Sequence, residues 1–447
     1  FNSIKTGAKY RAAERTQDRL AYSWHWPSTI DASSGSPNYM AYIFSECNTW
    51  DKCGLYSGNT SIDAVVNGNM TQQFFHNRDA MERIAFEGLN GYAADYAQHL
   101  NLAEIWAVEE DILSLYLQGD FEGEGFRGNL GVRYVSTDQT SGGYEFSGET
   151  WGLATVVSKL DPSNPDYLTP EILEWRTIDN DYSEVLPSMN LAFDLSEEQI
   201  LRFSAARVMA RQNWNDISTV QTYGSLNVAS NPYLKPQIAD QFDLSWEWYF
   251  DASSLLAVTY FHKDIKSYRS FSTFVDQRYW EEGDEWKDVT FTRPENGTGG
   301  KTDGIELSYQ QSFGDFGVTA NYTYTNAERD EERDLTKPGS GLVEGTSDQM
   351  VNLSAYYETD VFSTRLMYNY RTEWYKGLHF NGDELWNDAY GQLDASFTYN
   401  LTDAVSLSLE AVNLTDEQVV EYNTDEARLF SIYENGRRFT AGIRMAF

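Results

Sequence analysis

QFDLSWEWYF, residues 241–250, alternates without a break. Phe242, Leu244, Trp246, Trp248 and Phe250 fall on one side of an extended chain, with Gln241, Asp243, Ser245, Glu247 and Tyr249 on the other. Successive side chains of a strand point to opposite faces, so this stretch reads as a strand with one apolar and one strongly polar face. The pattern recurs in QLDASFTYNL, residues 392–401. It recurs again where Val405, Leu407, Leu409 and Ala411 alternate with Ser406, Ser408 and Glu410, and in the closing run Phe439, Ala441, Ile443, Met445, Phe447. After about residue 125, period two fits almost everywhere better than the helical 3.6.

A water-soluble sandwich also alternates, with its apolar sides packed together. The runs here are about nine to thirteen residues long, the length a tilted strand needs to cross a bilayer. Short polar turns stand at residues 196–199 (SEEQ), 251–254 (DASS), 314–315 (GD), 359–360 (TD) and 402–404 (TDA). Long acidic, aromatic segments stand between them at 212–237, 270–301, 326–345 and 376–388. Short turns at one end and long loops at the other are the pattern of an outer-membrane barrel. The fold class expected is all-β: an antiparallel transmembrane β-barrel of about fourteen strands with long extracellular loops. The first strand is SIKTGAKYRAAE, and the largest loop covers about 15–106 with short helices near 78–86 and 91–99.

Composition agrees. Aromatic residues make up 15% of the chain, with 30 Tyr, 24 Phe and 13 Trp, and the formal net charge is 33 − 68 = −35. Half-polar rings are most useful where one end is wet and the other apolar, at a membrane interface or a ligand surface. So much negative charge argues against nucleic acid and anionic lipid headgroups as partners. No run of about 18 apolar residues exists, so no transmembrane helix is expected, and if the protein is exported its leader lies outside this sequence. Cys47 and Cys53, in ECNTWDKCG, have no matching His pair and read as a small disulfide loop rather than a zinc site.

Six stretches together resemble TonB-dependent outer-membrane receptors, in particular a subgroup rich in oligosaccharide transporters. They are GNLGVRYVST (128–137), EVLPSMNLAFDL (184–195), NPYLKPQIADQFDLSWEWYF (231–250), RPENGTGGKTDGIEL (293–307), EAVNLTDE (410–417) and GRRFTAGIRMAF (436–447). The resemblance implies that residues 1–447 are the C-terminal part of a 22-stranded barrel, with 3–14 as strand nine. The plug, the first strands and the segment that engages TonB are absent from this sequence. Thr440, Gly442, Met445 and Phe447 match the C-terminal signal read by the barrel-assembly machinery. Arg211-Gln212 departs from the usual Arg-Pro. Gly299, Gly300 and Gly304 permit close approach before alternation resumes at Ile305.

No enzyme constellation is visible: His25, His76, His99, His262 and His379 are scattered. The acidic clusters at 281–285 and 329–334 read as solvated loop charge, with structural calcium as a second reading. Trp and Tyr beside Asn, Asp and Arg in the loops suit sugar rings, which offer an apolar face and a hydroxyl rim. Trp214, Trp280 and Trp374 are the candidate ring contacts, and Asn213 and His379 the candidate hydroxyl contacts. As the resemblance implies, the protein is an active transporter in the outer membrane of a Gram-negative bacterium, driven through TonB. Its solute is expected to be a neutral or weakly charged oligosaccharide, with a ferric siderophore or a passive fourteen-stranded channel as alternatives.

Overall fold

The computed structural model describes residues 2–17, 20–25, 95–100, 105–146, 157–158, 173–222, 227–280, 285–379 and 382–446. Fourteen strands make one antiparallel sheet in which each neighbour along the chain is a neighbour in space. They are β1 (Ser3–Gln17), β2 (Trp106–Gly123), β3 (Phe126–Phe146), β4 (Leu173–Asp194), β5 (Gln199–Ala210), β6 (Gln237–Asp251) and β7 (Ser254–Ile265), followed by β8 (Gly300–Phe313), β9 (Phe316–Arg329), β10 (Gln349–Glu358), β11 (Phe362–Arg371), β12 (Tyr390–Thr402), β13 (Val405–Val412) and β14 (Arg438–Met445). All five short turns read from the sequence lie between paired strands, and a sixth, at 124–125, joins β2 to β3.

Register carries the alternation from strand to strand. One row runs Leu201, Trp246, Val258, Leu307, Tyr322, Val351, Tyr370 across β5 to β11. The adjacent row runs Arg202, Ser245, Thr259, Glu306, Thr323, Met350, Arg371. A slip of one residue in any pair would exchange these faces, so the apolar pattern specifies every register. On β1 to β4 the apolar row is Ala8, Leu115, Tyr134, Val185, and on β12 to β14 it is Tyr399, Leu407, Ile443.

Among the described residues no protein layer covers the apolar face. Leu117 is 52% exposed and Leu409 56%. A continuous apolar face of this extent does not belong in water, so hydrocarbon is the solvent that fits it. Close strand approach is visible at Gly304, where an added Cβ would collide with the Tyr324 carbonyl oxygen. Among the described residues β1 pairs only with β2 and β14 only with β13.

One expectation is corrected. Instead of a helix near 91–99, Asp95–Leu100 is a strand paired antiparallel with Leu20–His25. These two strands follow β1 and precede β2, so ladder pairing overrides the helical preference of Ala97, Gln98 and Leu100. Residues 78–86 and Phe447 lie outside the described residues.

Parity makes a direct prediction. Leu407→Arg places a charge on the apolar face and is expected to cost about 2 to 4 kcal/mol near the bilayer midplane, whereas Ser408→Arg, on the polar face, costs much less. Equilibrium unfolding of the two variants in lipid checks this, and equal losses would mean the faces are misassigned.

Candidate functional site

The long connections leave from one end of the wall, and among the described residues three small sheets form there, two of which carry the candidate residues. The first grows from the segment after β5. Arg211 donates to Glu110 (3.3 Å), to the Tyr182 hydroxyl (2.6 Å) and to the Thr137 hydroxyl (2.9 Å). The chain then folds back against the polar face of β2 and β3. Ile217 and Leu234 are buried there with Trp106 and Val108, and Trp214 and Val220 pack around them.

Wall side chains hold this segment by its backbone. Gln139 donates to the Pro232 carbonyl (2.9 Å), Asn180 to the same oxygen (3.1 Å) and Ser141 to the Ile217 carbonyl (2.7 Å). The approach is so close that an added Cβ on Gly143 would run into the Thr219 hydroxyl. The Gln212 side chain donates to the Leu234 carbonyl across the loop. The result is a fixed ledge on the polar face, because the Pro232, Ile217 and Leu234 carbonyls each accept from a side chain.

The hairpin of Arg269–Trp280 and Glu285–Asn296 is fastened to the ledge's other side. Arg269 forks onto buried Asp216 (2.7 and 2.6 Å) and lies 4.4 Å over the Phe271 ring. Asn231 donates to the Pro294 carbonyl (3.0 Å), and the Asn296 side chain both accepts from and donates to the backbone of Lys235 (2.8 Å each).

The second sheet joins Trp374–Leu378, Glu384–Asn387, Val419–Asn423 and Leu429–Tyr433. Two carboxylates organise it. Glu384, 2% exposed, accepts from Arg333 (2.9 Å) and from the Gly339 backbone N–H (2.7 Å). Glu421, 3% exposed, accepts from Lys376 and from Ser431 (2.8 Å). Buried charge is tolerated only when paired and hydrogen-bonded, so these contacts fix three loops relative to one another. A cleft of about 530 Å³ lies beside them, lined by Leu342, Asp348, Tyr370, Glu373, Trp386 and Asp388.

The residues singled out from the sequence divide between these two sheets. Asn213 is exposed on the ledge, and its carbonyl closes a turn with the Asp216 N–H (3.0 Å). Trp214 is an anchor of the ledge core. Trp280 ends its strand opposite Glu285. In the second sheet, Trp374 has one ring face covered by Arg371 at 4.6 Å, and His379 meets Phe430 edge-on at 4.7 Å. Thr440 and Gly442 share the polar face of β14, and Met445 lies on the other. Cys47 and Cys53 lie outside the described residues. Among the described residues no cluster of three or more acidic, His or Cys side chains is arranged to hold a metal ion.

Exposed loop rings were missed by a reading that followed tryptophan: Tyr233, Phe271, Phe430 and Tyr433. The period-two test applied inside the loops would have found Phe271. It lies in an outward set with Thr273, Val275 and Gln277, while Phe274 points the other way.

Both faces carry charge near the loops. On the apolar side, near the long loops, Asp111, Asp138 and Asp181 form one cross-strand row, and Glu14 stands opposite Glu109. The polar side of β1 carries Lys5, Lys9 and Arg11, with Arg133 nearby on β3. The same polar face also carries Glu110, Asp120, Asp243 and Glu306, so basic and acidic groups are interspersed on the surface a solute would meet.

Two predictions arise from the second sheet. Glu384→Ala leaves Arg333 without its buried partner, a change that typically costs about 3 to 5 kcal/mol. Hydrogen exchange is expected to quicken at 333–345 and 374–387 while the wall stays protected. Burial, with Glu344 and Glu384 nearby, also pushes the Tyr375 phenol up to about 12. A raised folded value means that this contribution is intact below the unfolded value near 10 and is lost as pH rises toward 12. Tyr375→Phe is expected to flatten that alkaline loss of protection.

Comparison with known proteins agrees with the geometry. The β-barrel model of the TonB-dependent receptor-like family matches residues 2–414. The iron-regulated outer membrane virulence protein of Vibrio cholerae is 25% identical over 239 residues, covering 53% of this chain and 34% of that protein. Among solved structures, the ferric-catecholate import receptor Fiu of E. coli K12 is 18% identical with a TM-score of 0.56, over 80% of this chain and 48% of its own. The siderophore receptor PiuA of Acinetobacter baumannii is 15% identical with a TM-score of 0.56, over 99% of this chain and 53% of its own. This chain thus spans about half the length of those solved receptors, and at such identities the likeness bears on fold. The match over residues 2–414 and the fourteen-stranded antiparallel wall give one conclusion: the chain belongs to the TonB-dependent receptor family, as part of its β-barrel.

Proposed function

We propose that this chain is the wall and loop portion of an energy-coupled importer in the outer membrane of a Gram-negative cell. The long loops face outward and capture a scarce solute, and the inner-membrane proton gradient drives import through TonB. The carrying observation is the family match over residues 2–414 of a wall whose apolar face is continuous. In this reading the fourteen strands are the last of 22, and further strands cover the outer edges of β1 and β14, since bare strand edges are not tolerated in lipid. The plug and the TonB-engaging segment belong to a part of the receptor outside this sequence.

For the solute, the exposed rings Tyr233, Phe271, Phe430 and Tyr433, set among Asn, Asp and Arg, support an oligosaccharide. A second reading, a ferric siderophore, is favoured by what the solved relatives import. The test is equilibrium binding and uptake by the full-length receptor across oligosaccharides and ferric siderophores. Saturable binding of a glycan, with uptake abolished by a proton uncoupler, is the expected result. Binding of siderophores alone would select the second reading. Uptake indifferent to uncoupling would replace active import with a passive channel.

A further inference from the structure

The ledge contains a short segment, 231–236 (NPYLKP), in which burial alternates. Pro232, Leu234 and Pro236 are buried, whereas Tyr233 is 61% exposed and Lys235 is exposed. Every buried element of the segment has a structural task. The Pro232 carbonyl takes two wall hydrogen bonds, and Leu234 joins the ledge core. Asn231 closes a turn onto the Leu234 N–H (3.1 Å), and its side chain also accepts from the Tyr233 N–H (3.1 Å). Pro232, at the second position of that turn, has its φ already fixed. The backbone of Lys235 is held from the hairpin side by Asn296.

The two exposed side chains take no part in this. Neither the Tyr233 hydroxyl nor the Lys235 ammonium has a hydrogen-bond or ion-pair partner among the described residues. Yet their backbones are held, Tyr233 by Asn231 and Lys235 by Asn296. A ring and a cation are therefore presented from a fixed frame, on the polar side of the wall, with their Cα atoms within about 7 Å. The ordering cost of the frame is met before any ligand arrives, the condition under which a few contacts give useful affinity.

We propose that Tyr233 and Lys235 form a solute subsite for a ring that carries an anionic group: the phenol stacks on the ring and the ammonium binds the anion. This rests on the import reading and narrows its solute class. Two sources share the chemistry, a uronic-acid sugar and a catecholate iron complex. The overall charge of −35 does not decide the matter, because screening limits the global field to about 8 Å, and on this side of the wall Lys9, Arg11 and Arg133 are interspersed with Glu110, Asp243 and Glu306.

The test is equilibrium binding to the full-length folded receptor in detergent, with trigalacturonate, the iron(III) complex of 2,3-dihydroxybenzoate, and neutral maltotriose as probes. At least one anionic probe is expected to bind, on the order of tenfold more weakly in Lys235→Gln and with affinity restored in Lys235→Arg. Tyr233→Ala is expected to weaken the same probe, and Tyr233→Phe to retain it. Maltotriose binding, if present, is expected not to respond to Lys235→Gln. A response confined to trigalacturonate assigns the sugar source, and one confined to the iron complex assigns the chelate. Affinities within twofold of wild type in both Lys235→Gln and Tyr233→Ala would overturn the subsite. So would failure of both anionic probes to bind, or altered protease protection of the receptor's N-terminal part with unchanged binding. Loss of energised uptake with these binding results intact would count against the import reading and leave the subsite standing.

Discussion

In hydrocarbon no water is available to a bare peptide group, so every backbone N–H and C=O of a spanning segment must find its partner within the protein. The fourteen-stranded sheet satisfies that demand strand by strand. Pairing then fixes which side chains share a face. Because the side-chain period is two, Leu201, Trp246, Val258 and Leu307 can stand in one row only if Arg202, Ser245, Thr259 and Glu306 stand in the next. The lipid-facing surface, the polar lining and the position of the loops all follow from this single constraint.

The loops obey a different rule. Water is present, and their shape comes from a few buried polar groups that bond from one loop to another. Asp216 with Arg269, Glu384 with Arg333 and Gly339, and Glu421 with Lys376 and Ser431 hold loop to loop. Gln139, Ser141 and Asn180 hold the ledge to the wall. Removing one member of such a set leaves an unpaired group in a dry place, so geometry is tightly specified even where no regular core exists. Surfaces that remain exposed, such as the Tyr233 ring, are then available for recognition on a rigid base.

The wall was legible in the sequence because each strand repeats the same test. QFDLSWEWYF alternates over ten residues, and the turns at SEEQ, DASS and TDA interrupt alternation with small polar residues. The turn at 124–125 was harder to see, since FEGEGF, residues 121–126, offers two glycines as equivalent breaks. Asp95–Leu100 was misread because local propensity favours a helix there and only its partner, Leu20–His25, makes it a strand. The site was less legible. Trp214 has the composition of a ring contact and serves as a packing anchor, and Trp374 shares its ring with Arg371. Alternation separates Phe271 from Phe274 within one hairpin, but the covering of Trp214 and Trp374 depends on contacts that alternation within one segment does not report.

The central claim is that the apolar face of this wall meets lipid and the polar face does not. Spin labels placed singly along residues 392–399 of β12, in the receptor reconstituted in bilayers, test it most directly. Accessibility to oxygen, which concentrates in lipid, and to a water-soluble nickel complex is then measured at each position. The account predicts two out-of-phase patterns of period two. Oxygen should be favoured at Leu393, Ala395, Phe397 and Tyr399, and nickel at Gln392, Asp394, Ser396 and Thr398. In-phase patterns, or nickel access at the apolar set, would contradict it.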